Sequence, residues 1–276
     1  MSRWRGAILG VCMEEMAHLA QVANLMVALG SRPHFDRPNL PVPPGYHPAG
    51  IQVALRPFDL DTLDHFIFLE RPLDAQLDDL SPYRAIKGSE RDAEVGVLMP
   101  SAPDYSTIGE FYQLLTDGLD FLAKRLGEDR LFVGPARRDR RRRAVRGHGP
   151  HVCPPIHLII VQGEGASATD DDSHYGQFLN IREEFLALRR QRDDFCPSRD
   201  VASNPVMRRP LSDDRVHITA QPAASMLDAA NAVYSLMLRV LVEIYETPRH
   251  PDERRRALLG GATGLMKGYW ENCRTH

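Results

Sequence analysis

At 276 residues the chain is long enough to bury a substantial core without disulfide or metal staples. Its 43% apolar and 26% charged residues are those of a globular protein, which excludes wholesale disorder and the collagen, coiled-coil and disulfide-scaffold classes. A formal charge of -3, from 34 basic and 37 acidic side chains, argues against a general nucleic-acid binder, because phosphate contacts need a net basic face.

The N-terminal segment MSRWRGAILGVCMEEMAHLAQ places two arginines before an apolar run. That run meets Glu14 and Glu15 instead of the small-residue cleavage site of a signal peptide. No stretch reaches the roughly 18 apolar residues of a spanning helix. Cys12, Cys153, Cys196 and Cys273 form no C-x-x-C pair, so zinc-ribbon and thioredoxin-type sites lack support. The expectation is a cytoplasmic chain without membrane contact.

Residues 4 to 29 read as one helix: Ile8, Val11, Glu15, His18, Val22, Leu25 and Leu29 recur at spacings of three and four, and Gly30 with Pro33 ends the run. Seven prolines between 33 and 57 cannot continue a helix and predict a long wrapping loop. Asp59 to Leu69 is a short helix, and residues 73 to 104 are acidic and loop-like. Ser106 or Thr107 caps a helix running to about Leu126, with Ile108, Phe111, Tyr112, Leu115, Leu119 and Leu122 as its apolar face.

The block Arg137 to Arg146, with Gly147 and Gly149 after it, reads as a solvated basic loop. Ile156 to Val161 fits a strand or a buried helix equally by periodicity. Ser173 opens a helix with His174, Phe178, Ile181, Phe185 and Leu188 on one face. Ala223 to Glu246 forms another, carrying Leu227, Ala230, Tyr234, Met237, Leu241 and Ile244, and Pro251 starts a last helix running to about Trp270. The sum is an all-α helical bundle with long connections over residues 1–250, including the proline-rich loop 33–57 and the basic loop 137–150, with a C-terminal helix, 251–276, packed on it.

Glu15 and His18 sit on a stripe that should be wholly apolar. A carboxylate and an imidazole turned inward need partners, because an unpaired buried charge costs several kcal/mol. Metal ligation is one solution: bundle cores of the di-iron class use Glu-x-x-His on two helices and single Glu residues from two others. A lone E-x-x-H is ordinarily a surface pair, so the inward placement carries the argument. His174 lies on the apolar face of its helix, three residues after Asp171. A helix N-terminus held by Asp170, Asp171 and Asp172 explains that spacing equally well. Glu110 and Glu164 are the other carboxylates in apolar surroundings, while Glu243 lies off its helix's stripe and reads as solvated.

The segment MEEMAHLAQVANLMVALGSRPHF resembles the E-E-M-x-H-L, N-L-L, A-x-G-G-x-P pattern of the ferritin-like domain in iminophenylpyruvate dimer synthases of violacein and indolocarbazole pathways. PFDLDTLDHFIFLERP, STIGEFYQLL, VQGEGASATDDDSHYGQFLNI and AANAVYSLML resemble later segments of that family in the same order. The resemblance implies a ferritin-like bundle whose metal ligands are Glu15, His18, Glu110, Glu164 and His174, with Asp171 a secondary candidate. It also implies two iron or manganese ions and oxidative coupling of an aromatic 2-imino acid, a small-molecule substrate. A non-catalytic scaffold subunit is the alternative from another class, and iron storage a third.

The family pattern also has an acidic helix, of the type A-I-E-L-E-H-A-T-I-P-P-Y, ahead of the E-E-M-x-H helix, and the sequence starts after it. The matching expectation is an open apolar groove along Ile8, Val11, Val22 and Leu29, filled by a second copy or by a partner subunit that supplies the missing helix.

Overall fold

The computed structural model describes residues 2–37, 39–42, 53–75, 105, 107–134, 154–163, 167–210, 213–246 and 252–272. Among these the chain forms α1 (Ser2–Ala28), α2 (Leu60–Leu69), α3 (Ile108–Leu126), α4 (Glu128–Leu131), α5 (Pro154–Gly163), α6 (His174–Gln191), α7 (Ala223–Glu246) and α8 (Asp252–Asn272). Two short strands, β1 (Pro205–Val206) and β2 (Val216–His217), pair in parallel; nothing in the hydropathy pattern announces them. The architecture is the expected all-α bundle, and the ambiguous run at 156–161 is helix.

α1 ends where the sequence says. Gly30 takes φ 82, its N–H donates to Val27 O at 3.1 Å, and Ser31 N–H reaches Met26 O at 2.9 Å. These two bonds close a helix end around a left-handed residue. Gly134 N–H then donates to Ala28 O at 3.0 Å. A Cβ at Gly134 would stand 1.9 Å from Val27 O, so only glycine lets this backbone approach. The Asp59 side chain caps α2 through Thr62 N–H, and Ser173 caps α6 through Gly176 N–H.

Three apolar clusters join the helices. In the first, Trp4 and Val11 of α1 meet Leu63 and Ile67 of α2 and Tyr175, Phe178, Ile181 and Phe185 of α6. Trp4 stacks on Phe185 with centroids 6.0 Å apart, and its indole N–H donates to Glu184 at 2.7 Å, which satisfies the polar end of a buried ring. The second gathers Leu25, Phe132 and Ile156 with Tyr112 and Leu119. The third joins Ala23 of α1 to Leu241, Ile244 and Tyr245 of α7, with Leu258 and Leu259 of α8 against them. Parts of the proline-rich segment wrap back on the chain: Phe35 meets Tyr245, and Leu55 exchanges two hydrogen bonds with Asn204.

Several expectations need correction. Leu115 and Leu122 of α3 are exposed; the inward side carries Gly109, Thr116 and Ala123. Of the expected apolar face, Tyr112 and Leu119 pack against Ile156 and Ile160 of α5, and Leu115 and Leu122 are turned away from that contact. Among the described residues no open groove runs along Ile8, Val11, Val22 and Leu29: Val11 is buried, Val22 is half-buried, and Ile8 and Leu29 pack into the first and second clusters. On α7 the stripe faces the core in its second half, at Met237, Leu241 and Ile244, whereas Tyr234 is exposed. Ala223–Tyr245 is also long and apolar enough to cross a membrane by length and composition. A count of uninterrupted apolar residues misses it because Asp228, Arg239 and Glu243 punctuate an otherwise apolar helix. The basic run 137–146 lies outside the described residues.

Asp64 of α2 and Arg182 of α6 form a buried pair at 2.6 Å, their side chains 7% and 14% exposed. Burial pushes the Asp64 carboxyl up, and the guanidinium pulls it only partly back. Replacing Arg182 by Met strands a buried carboxylate and should cost about 3–5 kcal/mol in urea unfolding, whereas the double change Asp64→Leu with Arg182→Met should recover most of that loss. A single variant within about 1 kcal/mol of the parent chain would show the pair to be dispensable.

Candidate metal centre

Helix periodicity buries His18 on the inner side of α1, whereas Glu15, expected to turn inward, lies at the edge of that side with its side chain 50% exposed, and the Ser173 cap starts α6 so that His174 is its first residue. The two imidazoles meet with ring centroids 5.7 Å apart, His18 4% and His174 0% exposed. Between them lies one oxygen. Glu15 Oε1 is 3.0 Å from His18 Nδ1 and 3.2 Å from His174 Nδ1. Glu70, at the C-cap of α2, brings Oε2 to 3.7 Å from the same His174 Nδ1.

His174 Nδ1 is close to two carboxylates yet hydrogen-bonded to neither. An orphaned nitrogen in a fully buried ring costs free energy unless something occupies the space before it. Among the described residues, donor atoms of Glu15, Glu70 and His174 all lie within 4.8 Å of one another. Around a first-row metal with bonds of roughly 2.0–2.2 Å, neighbouring donors stand roughly 3 Å or slightly more apart. The spacings match that arrangement, so the residues fit a metal ion.

The outer nitrogens are tied off. His174 Nε2 is 2.8 Å from Glu14 Oε2, and His18 Nε2 is 2.8 Å from Gln162 Oε1 of α5. A Cβ at Gly163 would stand 3.0 Å from Glu70 Oε2, so the glycine at the end of α5 leaves room for that carboxylate.

Sequence reasoning placed Glu15, His18 and His174 together, and the structure brings them within contact. Glu110 is half-buried in the first turn of α3, its N–H capped by Thr107 at 3.1 Å, and is not part of the Glu15–Glu70–His174 group. Asp171 is exposed, in keeping with the helix-N-terminus explanation of its spacing. Glu164 lies outside the described residues. Glu243 is partly exposed and pairs with Arg254 at 3.3 Å. Glu70, Glu14 and Gln162 were missed. The available signal for Glu70 was an acidic residue at the C-terminal end of an apolar helix, where the macrodipole disfavours it.

Electrostatics follow from the crowding. At Glu15 burial works against ionisation, and the adjacent imidazoles of His174 and His18 outweigh it, holding the carboxyl down to about 2. At His174 burial works against the cation, and Glu15, Glu70 and Glu14 outweigh it, holding the imidazolium up to about 10. His18 is raised as well; burial opposes this, and its bonds to Glu15 and Gln162 prevail. Burial pushes the Tyr112 hydroxyl up, and Glu15 and Glu70 push it further, which sets this α3 side chain beside the same carboxylates.

A pH dependence follows for the metal-free chain. Glu15 falls from an ordinary 4.5 to about 2 in the fold, so its stabilisation is present above 4.5 and lost as pH falls toward 2. His174 rises from 6.5 to about 10, so its stabilisation is complete below 6.5 and lost as pH climbs toward 10. With chelator present, the thermal midpoint should peak between these limits, and His174→Gln should flatten the alkaline limb. A midpoint that climbs steadily from pH 7 to 9 would contradict the assignment.

Comparison with known proteins agrees with this geometry. Residues 1–183 match the Ferritin-like family. The chain is 25% identical over 293 aligned positions to dichlorochromopyrrolate synthase of Lentzea aerocolonigenes, covering 96% of this chain and 27% of that protein. It is 26% identical over 273 positions to 2-imino-3-(indol-3-yl)propanoate dimerase of Chromobacterium violaceum, covering 96% of this chain and 25% of that one. The chain thus spans about a quarter of the length of these curated relatives. No solved structure matches it. With the helical architecture and the inward carboxylate–imidazole cluster, the match over residues 1–183 shows that the chain belongs to the ferritin-like family.

Proposed function

We propose that the chain binds two iron or manganese ions and serves oxidative coupling of an aromatic 2-imino acid in secondary metabolism. The observation that carries this reading is the single Glu15 oxygen between two imidazole Nδ1 atoms, with the unbonded His174 Nδ1 facing Glu70 as well. Carboxylates with imidazoles suit iron or manganese. The proposed ligands are Glu15, His18, His174 and Glu70, with Glu110 and Glu164 completing the set. The names of the two relatives support the substrate class.

When bound, the metal pair supplies one-electron chemistry between substrate and oxidant. The coupling joins two imino acids by one carbon–carbon bond as each loses a hydrogen atom, and the two electrons and two protons reduce a peroxide to two waters. The chain's own part is positioning and proton traffic. In the metal-free state His174 holds a proton that a cation displaces, the ionised Glu15 carboxylate faces both rings, and the buried rings keep water from the inner side.

A scaffold role is the second reading, favoured by the solvent-facing Leu115, Phe121, Leu122 and Leu126 of α3, since contiguous apolar surface marks interaction sites.

Metal analysis separates the two. The coupling reading expects about two ions per chain, at least a tenfold drop in metal content for His18→Ala, and a product of twice the substrate mass less two hydrogens when the iron-loaded protein meets 2-imino-3-(indol-3-yl)propanoate and peroxide. Gly163→Ala should weaken metal binding with the unfolding transition unchanged, because the new methyl displaces the Glu70 carboxylate alone. A chain that binds no metal overturns this reading in favour of the scaffold.

A further inference from the structure

The two imidazoles present the same edge to the inside of the cluster. His18 Nδ1 and His174 Nδ1 both face Glu15 Oε1, at 3.0 and 3.2 Å. Each Nε2 is turned away and held at 2.8 Å by an oxygen, that of Gln162 for His18 and that of Glu14 for His174. The Glu14 oxygen accepts the hydrogen bond from this ring, so Nε2 of His174 carries a proton. Nε2 of His174 is engaged by Glu14 alone, whereas its Nδ1 faces Glu15 and Glu70 at 3.2 and 3.7 Å without a hydrogen bond.

We infer that Glu14 and Gln162 are positioning residues that keep a proton on Nε2 of both histidines, so that a metal takes the place of the proton at Nδ1 of His18 and of His174. This rests on the metal-binding reading above.

The two supports differ in kind, and the difference has a consequence. A carboxylate behind an imidazole raises its basicity as a ligand and an amide does so less, since charge-assisted hydrogen bonds are the stronger. His174, backed by Glu14, is the better donor, and His18, backed by the neutral Gln162, the weaker. The two nitrogens therefore take a metal in order, His174 before His18. Glu14 is adjacent in sequence to the inner ligand Glu15, so one turn of α1 supplies both the inner carboxylate and the outer support.

Zinc is the probe, because it is diamagnetic and binds imidazole and carboxylate donors. In the 15N-labelled full chain, long-range proton–nitrogen correlation distinguishes a protonated, a bare and a metal-bound ring nitrogen, with the two histidines assigned from His18→Gln and His174→Gln. The expected result is zinc at Nδ1 and a proton at Nε2 in both rings, with the His174 signals shifting at lower zinc than those of His18. Glu14→Ala should weaken zinc binding at least about tenfold and release the His174 tautomer. Glu14→Gln, which keeps an accepting oxygen, should restore much of the affinity and the tautomer. Zinc on Nε2 of the unaltered chain, or Glu14→Ala binding as tightly as the parent, overturns the inference while leaving the metal-binding reading intact. An unaltered chain that takes no zinc overturns both.

Discussion

One oxygen of Glu15 lies within hydrogen-bond reach of two imidazoles from different helices, and much of the molecule serves that arrangement. The cluster holds more negative than positive character: Glu14, Glu15 and Glu70 face two rings that become cationic only by protonation. Packed this closely, the carboxylates demand positive charge, and protons or metal ions answer the same demand. This is why the pKa values of Glu15 and His174 move apart, and why three separate chain segments must converge with little freedom.

The packing supplies that convergence. The aromatic cluster of Trp4, Phe178 and Phe185 clamps α1, α2 and α6 together, and the Asp64–Arg182 pair ties α2 to α6 in a register hydrophobic contact alone does not specify. Glu70 and His174 are the terminal residues of those elements, so their mutual position is set by how the helices start and stop. The Ser173 cap fixes the first residue of α6, and the end of α2 fixes Glu70. On the other side α5 delivers Gln162 and the space beside Gly163.

What could be read from the sequence was the part written in periodicity. His18 interrupts an apolar stripe and His174 sits on another, so the burial of both follows from spacing alone, while Glu15 on the first stripe stays half exposed. Glu70 belongs to no stripe, since it caps a helix, and its proximity to His174 is a tertiary fact. Glu14 is one residue round from the stripe, and periodicity gives no sign of its contact with His174; its side chain is 42% exposed. On α3 the buried positions are the small residues Gly109, Thr116 and Ala123, which a count of hydrophobicity does not register.

The exposure of the cluster is lopsided. The Glu14 and Glu15 side chains are 42% and 50% exposed, whereas His174 is sealed and His18 nearly so. The carboxylates thus form a rim and the rings a floor. A small charged species arriving from water meets the negative rim first, which concentrates cations at the mouth and slows anions. A species held by the rings of the floor therefore reaches water past the carboxylates of the rim, which lie on the exposed side of the cluster.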